Sequence, residues 1–429
     1  MQRRDFLRLS GIAGLTVASP FGFSNVSNAQ ATTYDGKFFV LVNAGGGWDP
    51  TSFCDPKGQL TEEQDDPMNR SYFRDDIQTA GSIPFAPVGI TENGRLSNAD
   101  FFNKYAQDLL VLNGVDTSTN GHDSGSRHTW SGKLAEGHPA FGALIAAQKA
   151  RAAPMAFISN GGYDLTQGLV APTRAGNTGV LARIAYPHRM DTNNEDELYH
   201  TQSTLDRIKA AQAARLEAQQ AKNNLPRRRA ALNTLFMARS GENEIQRLTE
   251  FLPDELDNGP NRLRRQAQLA LASYKAGITV SATLSSGGFD THGNHDANHI
   301  PALGRIWDGV DFLMEEAQRL DIADKVVVVI GSDFGRTPGY NDTNGKDHWS
   351  VTSMMLMGAG IRGNRVIGST TERHHPNTID PSTLDVVDSG GVRITPGQVH
   401  LQLRKLAEVD GSELDTAYPL REDDIDFFT

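Results

Sequence analysis

Cysteine is nearly absent: Cys54 stands alone in 429 residues, which excludes an intrachain disulfide framework. No basic partner or helix start stands beside it in the sequence, so Cys54 reads as a small buried residue rather than a nucleophile. Beyond residue 29 no run of about 20 apolar residues occurs, and no membrane-spanning helix is expected there. Positive charge is in deficit. Lys and Arg number 41 against 52 Asp and Glu, a net charge of −11, which argues against nucleic acid as a partner. No repeat of solenoid period is visible. What remains is an ordinary globular composition, 38% hydrophobic and 22% charged, enough for a sizeable core.

The first 29 residues read as an address rather than as part of the fold. Arg3-Arg4 precede a moderately apolar stretch, 9–23, and Ser27-Asn28-Ala29 supply small residues of the kind a signal peptidase reads. This pattern resembles a twin-arginine export signal with Gln30 as the new terminus, which makes the export machinery a partner and the periplasm or exterior the destination. A basic amphipathic anchor is the competing reading. Cleavage removes three arginines and one aspartate, so −11 becomes −13.

Short, nearly continuous apolar runs at 37–43, 109–115, 154–159, 277–284, 326–330 and 351–357 predict six strands of a sheet covered on both faces. Helical spacing runs through 301–320, from Leu303 to Leu320. Strand–helix alternation predicts an α/β fold with a doubly wound, mostly parallel sheet over residues 30–429. Residues 195–275 lack strand-like runs and read as a helical insertion or cap. Residues 55–100 read as a long excursion near the end of the first strand.

The chemistry-bearing residues follow the apolar runs, and in open α/β sheets ligands gather at the carboxyl ends of strands. Asp49 follows Gly45-Gly46-Gly47 after the first run, either as a site carboxylate or as a cap of the next segment. After the second run, Ser124, Ser126, Arg127, His122 and His128 crowd a segment leading into a helix. Either serine at a helix N-terminus would be a candidate nucleophile, and Arg127 a clamp for phosphate or sulfate. Asp290 and His292, spaced two apart, would point the same way and form a two-ligand pair. His295 would continue that cluster, while His299 is expected on the surface of the loop leading to 301–320. Asp333, after five apolar residues, needs a cation or hydrogen bonds, with Arg336 as the obvious protein partner. Asp347-His348 opens the next run, where the carboxylate would fix the imidazole tautomer.

Gly287-Gly288-Phe289-Asp290-Thr291-His292, Ser332-Asp333-Phe334-Gly335-Arg336-Thr337-Pro338, Lys346-Asp347-His348-Trp349 and the glycine-punctuated 358–368 together resemble the domain of unknown function 1501 family. That family is similar to the alkaline phosphatase and sulfatase superfamily. The resemblance implies an alkaline-phosphatase-like fold and a metal-dependent hydrolase of phosphate or sulfate esters, acting on a small-molecule or glycan ester. It implies a divalent ion (Zn, Mn or Ca) held by Asp49, Asp290, His292, Asp333 and His348, with Ser124 or Ser126 and Arg127 as catalytic groups. Phe334 stands where the superfamily has a histidine, which implies one metal, or a site completed by His122 or His128. The segment around Ser124 also lacks the type I sulfatase pattern. The alternative is a non-catalytic periplasmic binding or assembly protein that keeps the fold and a structural metal.

Overall fold

The computed structural model describes residues 34–429 except 152, 175–181, 184, 193, 224, 226–227, 229–231, 233–243 and 254, so the twin-arginine segment lies outside the described residues. Eight strands form the main sheet: β1 (Phe38–Gly45), β2 (Leu110–Asp116), β3 (Phe157–Ser159), β4 (Pro172–Thr173), β5 (Ser281–Gly287), β6 (Val326–Ser332), β7 (Val351–Gly358) and β8 (Arg365–Ile367). Their order is β8-β2-β7-β6-β1-β5-β3-β4. All six expected strands are present, with shifted ends; β4 and β8 are too short to carry an apolar signature.

β1 lies between β5 and β6, parallel to both, in the register Asn43↔Ser285 and Asn43↔Gly331. Only β7 runs against the rest, antiparallel to β6 and β2. Its start therefore lies at the rim where its neighbours end.

The sheet is covered on both faces, and side-chain alternation divides the strands between two cores. Phe38, Val40 and Val42 enter one, and Phe39 and Leu41 the other. The first core lies under the helices α1 (Asn98–Tyr105), α5 (Arg262–Lys275) and α6 (His295–Arg319). The second lies under α2 (His122–Ser131), α3 (Phe141–Lys149) and α7 (Pro396–Leu406). This is the doubly wound arrangement. Cys54 is buried, and its thiol faces Asn113 Oδ1 at 3.4 Å.

Two boundaries differ from expectation. The segment 195–275 is not all insertion: α4 (Gln202–Ala221) buries only Leu205, whereas α5 buries Leu263, Ala267, Leu271 and Tyr274 in the core. Helix α6 begins at His295, six residues before the predicted start. His299 is consequently a fully buried helical residue, not a surface one.

Candidate metal centre

Three short segments deliver the site. Strand β5 ends at Gly287, and the turn after it carries Asp290 and His292. Helix α2 begins with His122, and His348 lies three residues ahead of the first residue of β7. Two of these lie beyond or ahead of parallel elements as expected. His348 joins them because β7 is reversed.

The ring nitrogens are arranged consistently. His348 Nδ1 donates to Asn120 O at 2.7 Å, an acceptor that can do nothing else. His292 Nδ1 donates to Asp347 Oδ1 at 2.6 Å, and His122 Nδ1 to Asp333 Oδ2 at 2.8 Å. Each imidazole thus turns its Nε2 lone pair toward Asp290. His292 Nε2 and His348 Nε2 lie 3.0 Å apart, and they stand 3.0 and 3.1 Å from Asp290 Oδ1. His122 Nε2 approaches the other oxygen, Asp290 Oδ2, at 3.5 Å. One ligand atom from each of His122, Asp290 and His348 falls within 4.8 Å of the others.

The donor set fits a divalent ion. With neutral rings, three acceptors meet at edges near 3 Å, which requires a proton or a cation between them. Two ligands at about 2.0–2.1 Å from one ion stand roughly 2.9–3.4 Å apart, so the spacing suits shared coordination. The outer acceptors on each Nδ1 are the partners that metal-bound histidines ordinarily have. Asp290 and His348 would be held in common, with His292 and His122 flanking them.

Charge is balanced from behind. Arg336 is fully buried and donates to Asp290 Oδ1 at 2.8 Å, to Gly47 O at 2.7 Å and to Lys346 O at 3.0 Å. Burial raises the pKa of Asp290, but Arg336 and then His348 outweigh it, and the value falls to about 2. Arg336 thus serves Asp290, not Asp333. Burial pushes the Asp333 carboxyl above its ordinary value despite its hydrogen bonds from His122 and Gly46 N, the latter at 3.1 Å. Glycine is required at 46, where φ is +121° and a Cβ would stand 2.5 Å from Asp290 N.

Asp49 is not brought to the cluster. Its carboxylate is fully buried, with Oδ2 taking Lys346 Nζ at 2.6 Å and His295 Nε2 at 3.2 Å. Oδ1 accepts from Thr51 N and Thr51 Oγ1 at 3.0 and 2.7 Å. No lone pair is left for a metal, so Asp49 caps its segment. Burial alone would raise its pKa, but Lys346 and then His295 hold it well below the carboxylate range. His295 Nδ1 stands 2.6 Å from Thr291 Oγ1, and with Nε2 donating to Asp49 it is the acceptor, so His295 belongs to this inner network. Asp333 stands behind His122, and Asp347 orients His292 rather than its neighbour His348.

The remaining candidates sit on α2 itself. Ser124 is in its first turn, with Oγ 2.6 Å from Thr119 Oγ1 and 3.1 Å from Gly121 O. Ser126 lies one turn beyond His122, on the same side of the helix. Neither hydrogen-bonds the cluster. Arg127 does not face it: Nε donates to Leu134 O at 2.8 Å, and Nη1 stands 3.7 Å from Glu136. His128 is buried with Nδ1 on Thr117 O at 2.8 Å and has no bond to the cluster. The buried Phe334 ring packs on His348 and His122, with centroids 4.5 and 4.9 Å away. It presents hydrocarbon and no donor atom to those two rings.

Residues 37–383 match the family described as protein of unknown function, DUF1501. The chain belongs to the DUF1501 family. Among solved structures, this DUF1501 protein is similar to the alkaline phosphatase from the Antarctic bacterium TAB5 at 8% identity and a TM-score of 0.36, covering 87% of this chain and 99% of that one. A mutant of that phosphatase with Mg bound is similar at 9% identity and a TM-score of 0.35, covering 87% and 98%. A 2-O GAG sulfatase is similar at 9% identity and a TM-score of 0.32, covering 91% and 76%. No match was found among proteins of curated function.

Proposed function

We propose that this DUF1501 protein is an exported metal-dependent hydrolase of phosphate or sulfate esters. The observation that carries the reading is the convergence of His122, His292 and His348 on Asp290, each ring fixed from outside through Nδ1. Asp290, His348 and the flanking histidines would hold a divalent ion, which supplies Lewis-acid activation of the ester when bound. The protein's own part is positional. Arg336 and Asp347 hold Asp290 and His292 in place, and the open amino terminus of α2 presents backbone N–H groups to an oxyanion. Ser124 is the proposed nucleophile over Ser126, because it lies in that first turn and its hydroxyl is already oriented by Thr119. Export through Arg3-Arg4 to the periplasm or beyond is part of the proposal. None of the described helices is long and apolar enough to cross a membrane.

A second reading is a non-catalytic binding protein that keeps a structural ion. The orientation of Arg127 away from the cluster favours it, since the expected ester clamp is spent on Leu134 O. The deciding experiment is hydrolysis of a panel of phosphate and sulfate esters with added Zn, Mn or Ca. Metal-stimulated turnover that Asp290→Ala abolishes supports the hydrolase. Tight metal binding without turnover across the panel leaves the second reading.

A further inference from the structure

On the α6 side of the Gly288–Gly293 turn lies an open cleft of about 410 Å³, lined by Gly288, Asp290, Thr291, Asn298, Pro301 and Arg305. Asp290 forms one wall and is the residue that this cleft shares with the metal centre. Arg305 forms another, and its circumstances are unlike those of the arginines around it. Arg336 is paired with Asp290, Arg264 with Asp308 and Arg95 with Glu92. The half-buried guanidinium of Arg305 has no ion pair among the described residues. Burial, and then the like charge of Arg95, both disfavour its charged form. An arginine stays protonated regardless, so the charge is held at the cleft with no ion pair among the described residues, Asp290 across the cleft being paired with Arg336. The backbone makes room for it. At Gly288, where φ is +106°, a Cβ would stand 3.2 Å from Arg305 Nη2.

We propose that this cleft is a second anion subsite, in which Arg305 binds an acidic group of the substrate other than the ester that meets the metal centre. The assignment rests on the hydrolase reading for the reacting ester and on the cleft for the second group. The substrate class is then a phosphate or sulfate ester that also carries a carboxylate or another oxyanion, as acidic sugars do. A guanidinium recognises either group through paired N–H donors. Asp290 does not repel such a ligand strongly, because Arg336 compensates its charge from behind.

The test compares matched esters that differ by one carboxylate: glucose 1-phosphate with glucuronic acid 1-phosphate, and phenyl sulfate with 4-carboxyphenyl sulfate. Binding is measured by calorimetry on metal-loaded full-length protein, so the readout does not depend on turnover. In at least one pair the acidic member binds about tenfold more tightly, as one charge-assisted contact allows. Arg305→Gln erases that preference and leaves the other member unchanged, while Arg305→Lys keeps part of it. In the unsubstituted protein the preference shrinks as salt rises. Equal affinities in both pairs, no binding of any member, or a preference that survives Arg305→Gln overturns the subsite. A preference that is lost in Arg305→Gln without any turnover defeats only the hydrolase reading.

Discussion

His292 Nε2 faces His348 Nε2 at 3.0 Å, although both rings spend their Nδ1 hydrogens elsewhere. Two lone pairs at that distance need a proton or a cation between them, and a divalent ion would meet both. Protein purified without chelators is expected to carry about one tightly held divalent ion per chain by elemental analysis. His348→Ala and Asp290→Ala each lose it. Background metal after reconstitution would sink the centre as described.

Asp333 touches the centre only through His122, so its removal should weaken metal binding without deleting a ligand. Asp333→Ala is expected to lower affinity about 10–100-fold, with stoichiometry restored at saturating metal. A competitive chelator titration reads both quantities. Unchanged affinity would show that His122 contributes nothing to holding the ion.

Lys346 and Asp49 form a fully buried pair at 2.6 Å, apart from the cluster. Lys346→Met strands the carboxylate and is expected to cost about 3–5 kcal/mol of stability, measured by urea unfolding. The metal content of the folded fraction should stay the same. Loss of the ion with little loss of stability would return Asp49 to the metal site.

His400 lies fully buried under α2, donating from Nε2 to Thr129 O at 2.8 Å. Burial depresses its pKa from the ordinary 6.5 to about 3. The unfolded chain therefore takes up a proton that the folded protein refuses between those values. Stability is full above pH 6.5 and falls as the pH drops toward 3, by about 2 kcal/mol between pH 6.5 and roughly 5. His400→Gln keeps a donor for Thr129 O and flattens that slope. Parallel pH profiles of denaturation midpoint in the two proteins would contradict this.

The strands were legible because each is a short apolar run buried on both faces, and β6, Val326–Ser332, is buried throughout. Asp290 and His292 were legible from their spacing at a strand end. His348 was placed on the correct rim for an incomplete reason. It precedes its strand, and only the reversal of β7 brings it there, which no single apolar run discloses. Asp49 misled because a carboxylate after three glycines looks the same whether it meets a metal or Lys346, which lies 297 positions away. Arg336 and Asp347 were visible but assigned to sequence neighbours, whereas the fold gives them to Asp290 and His292. His122 was noted only as a fallback, since its role depends on Asp333 behind it. The start of α6 was missed because Pro301 falls inside the helix and the apolar spacing becomes regular only after it.

The reversal of β7 also fixes an order of events. His122, Asp290 and His348 belong to three distant stretches of chain that meet only when the sheet is assembled, so the unfolded polypeptide offers no more of the site than the Asp290–His292 pair. An ion held by the complete site would therefore be loaded on folding and not before it. Ligands of this kind accept several ions, and supply decides among them. The compartment in which the sheet closes would therefore select the ion of the proposed centre, and a chain that closes before it is transported would carry that selection with it.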